Sequence, residues 1–216
     1  MAHRTRIKIC GMTREADVDA AVEAGADALG FNFYPPSPRA ITLQRAGQLA
    51  RRLPPFVTPV LLFVNASPDV IAAAVQAVPN ALLQFHGDET PEQCLAPGRP
   101  YLRAARMAPD IALLDFAALH AQAAGLLLDT HVAAYGGSGK AFDWSLVPPH
   151  VPLPVVLSGG LSPANVTAGI AQLRPWGVDV SSGVEVAKGI KDAALLRAFC
   201  SAVRKADALI ANAAAG

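Results

Sequence analysis

The sequence predicts a single (β/α)8 barrel spanning residues 1–216, on three observations. Short aliphatic runs recur about every 20–30 residues, each followed by an Ala-rich helical stretch. The runs are apolar throughout rather than alternating, as expected of parallel strands covered by helices. The length of 216 residues falls within the roughly 200–250 that one such barrel commonly fills. A doubly wound sheet is the rival architecture. It would usually show fewer units and a Gly-rich dinucleotide fingerprint after its first strand, where Cys10-Gly11-Met12-Thr13 supplies one glycine. No linker rich in Gly, Ser or Pro divides the chain.

The predicted strands, in order, are Arg6–Cys10, Ala28–Phe33, Pro59–Val64, Ala81–Phe85, Tyr101–Ala105, Gly125–Asp129, Pro154–Leu157 and Gly177–Val180. The first strand ends in a thiol and a glycine before a polar stretch opens the first helix. A stiff loop, Tyr34-Pro35-Pro36-Ser37-Pro38-Arg39, follows the second. After the third, Ser67-Pro68-Asp69 reads as a helix cap with Pro at the first helical position, where its missing N–H costs nothing. After the fourth, Thr90-Pro91-Glu92-Gln93 reads as a capping box. After the seventh, Ser162-Pro163 repeats the cap-then-Pro arrangement.

Composition excludes several classes. Lys and Arg total 18 against 17 Asp and Glu, so no net field draws the chain to nucleic acid or to an anionic membrane. The apolar runs are far shorter than the ~20 residues of a membrane span. The charged N-terminus is not followed by the apolar region and cleavage site of a signal peptide. Three cysteines at wide spacing make no disulfide framework. A reduced, cytoplasmic protein is expected.

In a barrel of this kind, chemistry sits at the C-terminal ends of the strands and on the loops that follow them. That rule singles out Cys10 after strand one, Arg39 after strand two, His86 after strand four and Asp129 at the end of strand six. Gly159 and Gly160 follow strand seven, and Ser181 and Ser182 follow strand eight. Glycine lets backbone N–H groups approach a ligand, and the loops after strands seven and eight are this fold's recurrent phosphate site. Ordinary turns are the alternative.

Asp129 closes an apolar run, and an apolar wall raises a carboxyl pKa, which suits a general acid; an N-cap or a salt-bridged aspartate is the bland reading. Arg39, stiffened by three prolines, suits a carboxylate clamp, against the usual fate of arginine as a solvated charge. Cys10 is a reactive thiol or simply a small packed side chain. Cys94 and Cys200 lie in Ala-rich helical contexts and read as packing. Lys8 reads as facing the opposite side of its strand from Cys10, hence not as its activator. His86 and His131 are isolated, so no metal site is expected. Gly136-Gly137-Ser138-Gly139-Lys140 has the look of a nucleotide P-loop but carries Ala134 and Ala141 at the two defining ends. It reads instead as a flexible, anion-tolerant loop anchored by Phe142 and Trp144.

Taken in order, "KICGMTR", "GFNFYPPSPR", "LLFVN", "LLQFHGDE", "LLLDT", "GGSGKAFDW", "LSGGLSPANV" and "GVDVSSGVE" resemble the phosphoribosylanthranilate isomerase family over nearly the whole chain. The departures are Ser138 in place of a common Thr and a less typical "YLRAARM" at strand five. The resemblance implies a cofactor-free Amadori rearrangement of N-(5-phosphoribosyl)anthranilate in tryptophan biosynthesis. It implies Cys10 as general base, Asp129 as general acid, and Arg39 on the anthranilate carboxylate. Gly159, Gly160, Ser181 and Ser182 would hold the phosphate. Neither metal nor organic cofactor is implied, because the iminium formed on ring opening is its own electron sink. The implied partner is a small phosphosugar, and the chain is expected to be a monomer or a weak homodimer. A thiolate base needs a positive environment to lower its pKa from about 8.5.

Three rivals are weighed against this. An indole-glycerol-phosphate synthase would need lysines at strand ends, whereas Lys8 is mid-strand. A ribulose-phosphate epimerase would need a metal-binding set of His and Asp. A non-catalytic phosphate binder would need neither Cys10 nor Asp129.

Overall fold

The computed structural model describes residues 4–130 and 141–213. Eight parallel strands close into a barrel in sequence order. They are β1 (Arg6–Cys10), β2 (Ala28–Asn32), β3 (Thr58–Phe63), β4 (Leu82–Phe85), β5 (Tyr101–Met107), β6 (Gly125–Thr130), β7 (Val155–Leu157) and β8 (Gly177–Val180). The barrel shuts where β1 pairs with β8, Lys8 lying opposite Asp179.

The apolar runs are explained by burial on both faces. In β6, Leu126 and Leu128 belong to the large core that also includes helix side chains, while Leu127 packs with Ala104 and Val156 in a separate inner cluster. The same alternation in β1 sends Ile7 and Ile9 to the large core, and Lys8 and Cys10 therefore share the opposite, inner face.

The covering helices are α1 (Glu15–Ala24), α2 (Leu43–Ala50), α3 (Pro68–Ala77), α4 (Pro91–Leu95), α5 (Leu113–Leu119), α6 (Val166–Leu173) and α7 (Ala193–Ala213). Two of the expected caps form as read. The Ser67 hydroxyl accepts from the Val70 N–H, and Thr90 with Gln93 completes a capping box. The third does not. Ser162 accepts no N-cap bond; its own N–H donates to Asn165 Oδ1, and α6 begins only after Asn165. The intervening turn belongs to the loop after β7 rather than to the helix.

The expected helix between β6 and β7 is likewise missing among the described residues. Its place holds a one-turn 3₁₀ segment, Trp144–Leu146, followed by Pro148, Pro149, Pro152 and Pro154. Each proline removes an N–H donor and drives the preceding residue extended, so no α-helix propagates. Phe142 is buried in the core and Trp144 packs over Gly169; the Gly136–Lys140 loop they were expected to anchor lies outside the described residues. No helix among the described residues is long and apolar enough to cross a membrane.

Candidate active site

One pocket at the C-terminal rim of the barrel is lined by Cys10, Arg39, Asp129, Gly159, Gly160, Ser181 and Ser182. Sequence reasoning named all seven, and the fold brings all seven together. It also brings in groups that sequence reasoning left out, and these set the site's electrostatics.

Cys10 is 7% exposed and packs against Leu62, Val64 and Tyr34. Gly30 on β2 makes the room for it. A Cβ at Gly30 would stand 2.8 Å from Cys10 Sγ and 3.2 Å from Lys8 Nζ. Lys8 is thus a neighbour of the thiol, not a residue of the opposite face. Positions two apart on a strand share a face, so Lys8 and Cys10 both point inward over Gly30, contrary to the expectation from sequence. Lys8 Nζ lies 2.8 Å from Asp179 Oδ1, and Ser158 Oγ donates to Asp179 Oδ2 at 3.1 Å. Burial works against the Lys8 ammonium, but Asp179 and Cys10 outweigh it and hold its pKa above the ordinary value. Burial, with Asp179 adding to it, holds the Cys10 thiol above its ordinary value even though Lys8 and Lys191 pull it down.

Asp129 leaves β6 among polar partners rather than against the apolar wall expected from sequence. Its Oδ1 accepts the Thr130 N–H at 2.8 Å, and its Oδ2 is 3.0 Å from His86 Nε2. His86 Nδ1 in turn lies 3.1 Å from Gln84 Nε2. The loop that carries His86 is braced from β5, where the Arg103 guanidinium donates to the carbonyls of Phe85 and Gly87.

Arg39 reaches the rim past Gly11, whose φ of +80° and missing Cβ leave a path for the Arg39 methylenes. Its Nε and Nη2 grip both oxygens of Glu185 at 2.8 and 2.7 Å. Glu185 opens a short antiparallel hairpin, β9 (Glu185–Ala187) with β10 (Ile190–Lys191). Lys191 Nζ, fully enclosed, donates to the same carboxylate at 2.8 Å and to the Ser181 carbonyl at 3.1 Å. Burial would lift the Glu185 carboxyl, but Arg39 and Lys191 keep it below its ordinary range.

The last two loops interlock. Gly159 and Gly160 both take positive φ, 75° and 65°, which L side chains resist. A Cβ at Gly183 would strike the Leu161 carbonyl at 1.9 Å, so only glycine lets the β8 loop lie against the β7 loop. The Ser181 hydroxyl donates to the Cys10 carbonyl at 3.1 Å, which ties the β8 loop to the end of β1.

The inner face of Lys8 was findable by strand alternation; His86 was singled out by its place at a strand end, but its contact with Asp129 was not foreseen. Glu185 and Lys191 carried no local signal.

These features define a (β/α)8-barrel enzyme with its polar pocket at the C-terminal rim. The sequence profile of the N-(5'phosphoribosyl)anthranilate (PRA) isomerase family matches residues 7–202. The N-(5'-phosphoribosyl)anthranilate isomerase of Leptothrix cholodnii is 67% identical over 213 residues, which cover 99% of this chain and 97% of that one. The crystal structure of the Thermotoga maritima enzyme has a TM-score of 0.84 at 40% identity, covering 93% of this chain and 99% of that one. A crystal structure of such an isomerase with reduced 1-(o-carboxyphenylamino)-1-deoxyribulose 5-phosphate has a TM-score of 0.81 at 37% identity, with coverage of 93% and 99%. The chain belongs to the phosphoribosylanthranilate isomerase family and catalyses that isomerisation, a step of tryptophan biosynthesis.

Proposed function

We propose that the rim pocket runs the Amadori rearrangement of N-(5-phosphoribosyl)anthranilate by acid–base catalysis alone, with Asp129 as general acid and Cys10 as general base. The observation that carries this reading is that both side chains line one pocket, from strands on different sides of the barrel, together with Arg39 and the two glycine- and serine-bearing loops. Asp129 protonates the ribose ring oxygen, and the furanose opens to an iminium. Cys10 then removes the C2 proton, and the resulting enolamine tautomerises to 1-(2-carboxyphenylamino)-1-deoxyribulose 5-phosphate. Gly159, Gly160, Ser181 and Ser182 hold the phosphate. Arg39 meets the anthranilate carboxylate with its Nη1 edge, since Nε and Nη2 are engaged by Glu185.

The iminium withdraws the electrons that a metal or an organic cofactor would otherwise take, so neither is required. The assay is the loss of anthranilate-type fluorescence as enzymatically generated substrate is consumed. Exhaustive chelation leaves its rate unchanged on this reading; a large loss restored by zinc or magnesium overturns it. The chain acts as one barrel domain in the cytoplasm, as a monomer or weak homodimer, on a small phosphosugar and on neither nucleic acid nor membrane.

Arg39→Ala tests the carboxylate contact. Loss of a charge-assisted hydrogen bond is worth about 1.5–3 kcal/mol, so KM rises about 10–150-fold with a smaller effect on kcat. An unchanged KM in a folded variant reduces Arg39 to a partner of Glu185.

A further inference from the structure

Under Cys10 lies a closed set of charges that the acid–base scheme above does not use. Lys8 on β1 pairs with Asp179 on β8, and Lys191 and Arg39 both pair with Glu185. All five are largely enclosed; Arg39, the most accessible, has a side chain 15% exposed. β3 presents Leu62 and Val64 to the thiol and the β2 loop adds Tyr34, while Asp129 on β6 and His86 after β4, which line the same pocket, meet each other. Three cations therefore face two carboxylates. Buried charges persist only when paired, and one positive charge is left over beside the thiol. A Cys10 thiolate closes the balance. Lys8 is the group placed to meet it, because the inner face of β1 presents both side chains over the gap left by Gly30.

We propose that Lys8 is a positioning residue: anchored by Asp179, its ammonium is the counter-ion of the Cys10 thiolate. Asp179 plays two opposed parts. It fixes Lys8, and its own charge disfavours the thiolate. The kinetic consequence rests on Cys10 being the base, so the test separates the two.

Peptide-resolved iodoacetamide alkylation of Cys10 in the free protein reports its thiolate directly. Burial pushes Cys94 and Cys200 up to about 11, so they stay protonated through the range used. Removing an opposite charge at contact range moves a pKa by about one to three units. A more basic thiolate is also intrinsically more nucleophilic, with a Brønsted slope of about 0.4–0.5. At about pH 8 the Cys10 alkylation rate should therefore fall about 3–50-fold in Lys8→Met. Lys8→Met/Asp179→Asn, which removes the pair as a unit and so leaves neither partner buried without the other, should shift in the same direction. Asp179→Asn, which keeps an amide oxygen for Lys8, should instead speed alkylation. The acid limb of the kcat–pH profile should move with each. An alkylation rate unchanged in both Lys8 variants, in proteins that melt like the parent, overturns the proposal, as does an unchanged or slower rate in Asp179→Asn. If alkylation shifts as expected while the kcat profile does not, the counter-ion stands and Cys10 is not the base.

Discussion

Cys10→Ser collapses turnover while leaving ligand binding and stability intact. Serine is nearly isosteric with cysteine, and Cys10 sits in a small apolar contact with Leu62, Val64 and Tyr34. A cysteine present only to pack would lose little by the change. A base is another matter. The hydroxyl is far too weakly acidic for Lys8 to hold it as an anion, so the C2 proton has no acceptor. Loss of a positioned general base lowers the rate by about 10²–10⁴. The β7 and β8 loops and Arg39 are untouched, so a product analogue binds with near-parental affinity. The melting temperature stays with the parent. Turnover within a few-fold of the parent would show that the thiol is not the base.

How far the site was legible in the sequence follows from the range of each interaction. The strands were readable because burial on both faces leaves long aliphatic runs, and the rim residues because each stands where such a run ends. The capping box at Thr90 is a four-residue signal and formed as read. Among the described residues a one-turn 3₁₀ segment stands where a helix was expected between β6 and β7, for a local reason, the prolines from Pro148 to Pro154. The face of Lys8 was misjudged against a period that β1 obeys. Other features needed the closed fold. Arg39 and Glu185 are 146 residues apart, and His86 and Asp129 are 43 apart. No pattern along the chain announces either pairing, because barrel closure alone makes them neighbours. The surplus of positive charge under Cys10 likewise belongs to an arrangement of five side chains from β1, β8, the β2 loop and the β9–β10 hairpin.

Asp129→Asn gives the second large loss. The Asp129 carboxyl group holds its place through two contacts, the Thr130 N–H at 2.8 Å on Oδ1 and His86 Nε2 at 3.0 Å on Oδ2. An amide keeps the first, since its oxygen accepts the same N–H, and it fits the same space beside Gly159, where a Cβ would come within 2.9 Å of Oδ1. What it cannot do is deliver a proton to the ring oxygen. Ring opening then has to draw its proton from water, and kcat falls by about 10²–10⁴, the contribution of a positioned acid. KM and melting temperature change little. The two variants also make a joint statement. If Asp129 and Cys10 serve successive steps of one reaction, the double variant loses far less than the product of the two single losses, because groups acting as a unit are strongly non-additive. The same fluorescence assay measures all three proteins. A kcat within a few-fold of the parent in Asp129→Asn removes Asp129 as the acid, and full multiplicativity in the double variant would mean that the two side chains act independently.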